Sequence, residues 1–122
     1  AVAARDNPND IGLHHLWGDI LVETGQYYEA VRAYAQAVAT DPSAGNYIKL
    51  AQGYAAAGEF AQAEAAYRQA LATDTAAADA YYHLGALYEQ AGRPGDAIDA
   101  YRRYLAIAPE GPYREAALAR LE

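Results

Sequence analysis

The sequence predicts an all-α fold, a solenoid of antiparallel helix hairpins. Three observations carry that expectation. Composition favours helix: of 122 residues, 53% are apolar, Ala is abundant, and β-branched residues are sparse. A pattern of small and aromatic residues recurs three times at nearly constant spacing. Between the recurrences stand helix-ending signals, either Gly after an apolar-periodic run or an Asp-Pro or Ala-Pro pair.

The first segment runs from Gly18-Asp19-Ile20-Leu21 through Gly25, Glu29-Ala30-Val31, Tyr34 and Ala37 to Asp41-Pro42. The second runs from Ala51-Gln52-Gly53-Tyr54 through Gly58, Ala63, Tyr67 and Ala70 to Asp74-Thr75. The third runs from Gly85-Ala86-Leu87-Tyr88 through Gly92, Asp96-Ala97-Ile98, Tyr101 and Tyr104 to Ala108-Pro109. Gly25 to Gly58 is 33 residues and Gly58 to Gly92 is 34, and the Ala30/Ala63/Ala97 and Tyr34/Tyr67/Tyr101 series take the same steps. The one-residue deficit lies between Pro42 and Leu50.

Each recurrent residue has a physical reason. Gly18, Ala51 and Gly85, like Ala30, Ala63 and Ala97, are small where the two helices of a hairpin must cross closely. Tyr34, Tyr67 and Tyr101 fill the space beside those crossings. Tyr occurs 12 times and Phe once, so much of the larger apolar volume carries a polar tip. Gly25, Gly58 and Gly92 suit the left-handed backbone that closes a helix. The first helix of each hairpin (helix A) is expected over 11–24, 44–57 and 78–91, and the second (helix B) over 27–39, 60–72 and 94–107. Pro94 stands in a first turn, where its missing N–H costs little.

Pro112 is expected to open a last helix over 112–121, with Tyr113, Ala116, Ala117, Leu118 and Leu121 on its apolar side and Arg114, Glu115, Arg120 and Glu122 outward. Such a helix gives a repeat array the polar-faced cover it needs. Tyr104 stands where the other repeats have Ala37 and Ala70, which reads as adaptation to this different neighbour. Ala1 to Pro8 reads like the end of an earlier helix B with its closing Pro. Residues 1–10 are therefore expected to be the remnant of a preceding repeat or a linker, leaving an N-terminal edge able to self-associate.

This pattern resembles the tetratricopeptide repeat, a helix–turn–helix unit of about 34 residues. Three repeats are assigned on that basis, at 11–43, 44–77 and 78–111, followed by a capping helix at 112–122. The third repeat departs from the family motif only at Tyr104. The second lacks only the closing Pro, and the first has His14 and Trp17 at its first two large positions. The resemblance implies a right-handed superhelix whose A helices line a concave groove that binds a peptide or protein segment.

It also implies which residues face that groove. Those with recognisable binding chemistry are His15, Asp19, Glu23, Ile48, Lys49, Gln52, Asp79, Tyr82, His83 and Glu89. The A helices carry Asp19, Glu23, Asp79 and Glu89 against Lys49 alone, whereas each B helix is neutral, with charges spaced for local pairing. An acidic groove follows, suited to a basic segment with apolar anchors, and Tyr82 is its best aromatic contact. The alternative is an architectural piece that self-associates through its stacking edges without a peptide. One subset of the family grips a partner's C-terminal carboxylate with Lys and Asn side chains. The corresponding residues here are His15, Asp19, Lys49, Asp79 and His83, and the two aspartates would repel that group.

Other functions find little support in the residues. A net charge of −7 with a single Lys argues against nucleic acid and anionic membrane. No apolar run is long enough to span a bilayer. Without Cys there is no disulfide, thiolate metal site or thiol nucleophile. Ser43, the only Ser, stands beside Pro42 with no His near it in sequence. No Gly-rich phosphate loop is present. His15 and Asp19 stand four apart on one helix but make only a two-ligand pair, with His83 two repeats away. No cofactor, metal or enzymatic activity is expected.

If the small residues mark helix crossings, Ala63→Leu overpacks one of them. The variant should lose about 1–3 kcal/mol of stability in urea denaturation, and an unchanged midpoint would refute the crossing.

Overall fold

The computed structural model describes residues 11–74 and 77–122. Among them every regular element is an α-helix: α1 Ile11–Glu23, α2 Tyr27–Thr40, α3 Ala44–Ala56, α4 Phe60–Thr73, α5 Ala78–Gln90, α6 Pro94–Ile107 and α7 Arg114–Arg120. The chain divides into two compact units, Ala1–Thr73 and Asp74–Glu122. The first holds hairpins α1–α2 and α3–α4; the second holds hairpin α5–α6 and α7. The expected remnant at 1–10 and the substitution of Thr75 for a closing Pro fall outside the described residues.

The six hairpin helices begin where the residue pattern places them and end within one residue of it. Their turns have one construction. Gly25, Gly58 and Gly92 take φ values of 79°, 78° and 73°, a region closed to most residues with a Cβ. That conformation lets Gln26 N–H reach back to the Leu21 carbonyl at 2.8 Å while Gly25 N–H reaches Val22 at 3.1 Å. The same pair of bonds recurs at Glu59–Tyr54 with Gly58–Ala55, and at Arg93–Tyr88 with Gly92–Glu89. Carbonyls left over at each helix end are thereby satisfied before the chain reverses.

In the first unit the two hairpins stack through Tyr34. A Cβ on Gly18 would lie 2.5 Å from the Tyr34 ring, and one on Gly53 would lie 2.9 Å from its other edge. The ring is therefore held between its own hairpin and the next. Asp41, Pro42 and Ser43 join the two hairpins, whereas four residues, 74–77, separate α4 from α5. The missing residue of the first repeat interval thus lies in that connection. Ser43 caps α3 by accepting from Asn46 N–H at 3.3 Å, and the buried Asn46 side chain donates to the Asp41 carbonyl at 2.7 Å. His14 is buried, as its place in the pattern requires.

The second unit repeats the crossing. A Cβ on Gly85 would lie 2.6 Å from the Tyr101 ring, and Ala97, Ala100, Tyr101 and Tyr104 are buried on α6. Tyr67 in the first unit and Tyr101 here are each 2% exposed, so both phenol rings are core. The last helix departs from expectation by starting at Arg114 instead of Pro112. Tyr104 is the reason. It is fully buried, and its hydroxyl accepts from Tyr113 N–H at 2.9 Å. A Cβ on Gly111 would collide with that same hydroxyl. Gly111, Pro112 and Tyr113 accordingly form a turn around it, and Arg114 N–H closes the turn on the Gly111 carbonyl at 3.1 Å. The extra bulk of Tyr104 is used to seat the segment that leads into α7.

Tyr104→Phe keeps the ring and removes the acceptor. It should cost about 1 kcal/mol in chemical denaturation and raise amide exchange at Tyr113. Unchanged exchange there would contradict this anchoring.

Candidate functional site

The A-helix face of the first unit is organised by Asp19. The Tyr34 hydroxyl donates a short hydrogen bond to Oδ1 of Asp19, and Lys49 on α3 donates to Oδ1 and Oδ2 at 3.2 and 3.4 Å. Partial burial alone would push the Asp19 carboxyl up. The Tyr34 hydroxyl and the Lys49 ammonium outweigh burial and hold it below its ordinary 3.8. Tyr34 moves the other way: burial, then the adjoining carboxylate, raise its phenol above the ordinary 10. His15 meets the Tyr34 ring edge-on at 6.4 Å, and its buried Nε2 has no hydrogen-bond partner among the described residues. Ile48 and Gln52 are half-buried on α3, and Glu23 is exposed at the end of α1.

In the second unit the corresponding face is aromatic. Tyr82 stacks on Tyr113 with ring centres 4.1 Å apart and planes 5° from parallel. Tyr101 and Tyr104 flank Tyr82, each at 5.7 Å. His83 stands edge-on to both stacked rings at 5.6 Å. Tyr82 is thus half-buried inside a cluster and covered by a ring from the segment before α7. Burial lowers the His83 pKa, and the charge of Asp79 only partly offsets it. Glu89 accepts a short hydrogen bond from the Tyr101 hydroxyl, and Arg120 on α7 approaches the same carboxylate at 3.5 Å. Arg120, expected to point outward, therefore turns toward α5. Asp79 is exposed in the first turn of α5 and forms no ion pair among the described residues.

The structure joins Asp19 to Lys49 and brings His15 beside Tyr34. It gathers Tyr82 and His83 around Tyr113, and it leaves Glu23 and Asp79 as exposed carboxylates. On the helix B side Arg68 pairs with Glu64 at 3.2 Å, whereas Asp96 pairs with Arg93, just before its helix, at 2.8 Å. Tyr34, Tyr101, Tyr113 and Arg120 were not among the sequence-selected site residues. The signal for the first two was the polar tip of an otherwise core residue. Among the described residues no three acid or His side chains converge to hold a metal ion. No described helix is long and apolar enough to cross a membrane.

Hairpins closed by left-handed glycines and packed through small residues define a helical-repeat protein. The chain belongs to the tetratricopeptide repeat family: family models match residues 48–112 and 11–43. Solved structures agree in fold. The crystal structure of MamA is 26% identical, with a TM-score of 0.75 over 98% of this chain and 78% of that one. The Yersinia enterocolitica type III secretion chaperone SycD, solved with a peptide of the translocator YopD, is 15% identical. Its TM-score is 0.79, over 90% of this chain and 88% of that one. The first tetratricopeptide domain of Spaghetti (RPAP3), bound to the HSP90 peptide SRMEEVD, is 23% identical. Its TM-score is 0.76, over 91% and 89%. No curated protein matches the chain significantly. As a member of this family the protein is an interaction scaffold and not an enzyme.

The Asp19 contacts predict a pH dependence. A carboxyl held below its unfolded pKa contributes stability above that value and loses it as pH falls through the lower folded one. Asp19→Asn should therefore be less stable than the parent at pH 6, by less than about 1 kcal/mol for so exposed a pair. The two denaturation curves should converge as pH drops below about 4. A constant difference down to pH 2 would show that the charge of Asp19 is not what Tyr34 and Lys49 hold.

Proposed function

We propose that the protein binds a peptide or protein segment against its A-helix faces, and that this segment is basic with apolar anchors. Family membership supports the binding of a peptide or protein, as do the peptides held by the SycD and RPAP3 domains of the same fold. The observation that carries the basic character is the division of charge. Helices α2, α4 and α6 are each neutral, while α1 and α5 expose Glu23 and Asp79. Asp19 and Glu89 are already satisfied by Tyr34 with Lys49 and by Tyr101 with Arg120. They contribute shape and hydrogen-bonding capacity more than net charge. His15, Ile48, Lys49, Gln52, Tyr82 and His83 complete the proposed contact set. A C-terminal carboxylate is a poor fit, since Asp19 and Asp79 occupy positions of the sequence at which the family's carboxylate-gripping members carry attractive side chains, and each would repel that group.

A second reading is self-association through the edge formed by α1. Leu16 and Ile20 are 57% and 40% exposed there. On α3, the residues corresponding to them, Lys49 and Gly53, are met by the preceding hairpin through Asp19 and Tyr34.

An array of 15-residue peptides of graded charge, probed with the intact chain, tests the first reading. Basic peptides carrying an apolar residue should be retained, and Glu23→Lys with Asp79→Lys should weaken retention about tenfold or more. Indifference to peptide charge would overturn the basic-segment reading. Sedimentation showing dimers that Leu16→Gln dissolves, with no peptide retained, would favour the second.

A further inference from the structure

The second unit places one unpaired carboxylate beside a stack of rings, and nothing in the hairpin fold requires that pairing. Asp79 stands one turn of α5 before Tyr82 and His83. Burial, and after it the charge of Asp79, raises the Tyr113 phenol, and the same charge partly offsets the lowering that burial imposes on the His83 imidazole. The carboxylate therefore shares the neighbourhood of both rings. Tyr113 lies parallel on Tyr82 at 4.1 Å, yet part of it remains in solvent. His83 stands edge-on to it at 5.6 Å.

Four of the five arginines of this unit have partners of their own. Arg114 pairs with Glu115 at 2.6 Å, Arg120 with Glu89 and Arg93 with Asp96, while Arg103 lies over the Tyr81 ring at 5.9 Å. His83 adds no opposing charge near neutral pH, because burial favours its neutral form. The charge character of this face is negative: ring faces carry negative quadrupole charge, and the carboxylate supplies a full one. A planar guanidinium can lie flat on a ring while its edge N–H groups form a bidentate pair with a carboxylate, a geometry an ammonium lacks.

We propose that Asp79, His83 and the Tyr82–Tyr113 stack form a receptor for an arginine side chain of the bound segment. The proposal rests on the peptide-binding reading above and specifies where one basic residue of that segment is held. A dipole-stabilising role for Asp79 in the first turn of α5 is the competing explanation. It would appear in stability and not in ligand selectivity.

The test is an NMR titration of the intact chain with N-acetyl-arginine methylamide, and separately with its neutral isostere N-acetyl-citrulline methylamide. The arginine amide should shift the signals of Asp79, Tyr82, His83 and Tyr113, with the citrulline amide about fivefold weaker or more. Asp79→Asn, checked for an unchanged thermal midpoint, should erase that preference, and Tyr113→Leu should weaken both amides. Equal binding of the two amides, or shifts confined to other helices, would overturn the receptor. The peptide array separates the two ideas. Basic peptides retained equally by parent and Asp79→Asn, but lost with Glu23→Lys, would leave the peptide-binding reading standing and refute the receptor. Arginine-amide shifts at these four residues with no peptide retained would do the reverse.

Discussion

Each glycine crossing in this protein works because a phenol ring lies where the facing helix has no side chain. At Gly18 and Gly85 the absence of a Cβ lets Tyr34 and Tyr101 approach within van der Waals distance of backbone. That approach sets the separation of helices α1 and α2, and of α5 and α6. In the first unit Tyr34 also sets the stacking of one hairpin on the next, because its far edge rests on Gly53. Even a methyl group at any of these glycines forces the ring or the helix to move.

The choice of Tyr over Phe at these crossings links the core to the surface. A ring buried that deeply carries its hydroxyl to the edge of the A-helix face, where it needs an acceptor. Asp19 serves Tyr34, and Glu89 serves Tyr101. A cation then joins each carboxylate, Lys49 from the next hairpin and Arg120 from α7. Two of the four A-helix carboxylates are thereby part of the scaffold, while Glu23 and Asp79 are exposed and form no ion pair among the described residues.

Tyr104 shows the same economy at the C-terminal end. In place of a small residue it fills the space under the 111–113 turn, holds Tyr113 N–H, and so delivers the Tyr113 ring onto Tyr82. One substitution in the repeat pattern both seats the last helix and builds the aromatic face of α5. The two roles cannot be separated by looking at Tyr104 alone.

The helices, their turns and the close crossings were legible in the residues, because each depends on local chemistry repeated three times. Glycine is needed wherever the backbone turns left-handed, small residues wherever helices cross, and 3.6-residue periodicity wherever one face is buried. The candidate face was legible only as a set of positions. That Asp19 and Glu89 are engaged by tyrosine hydroxyls, that Arg120 reaches Glu89, and that Tyr82 is capped by Tyr113 depend on side chains far apart in the chain. Tyr82 and Tyr113, like Asp19 and Lys49, are separated by a whole helix. Helical periodicity records which way a side chain points from its own axis; which partner it meets there is decided when the hairpins pack.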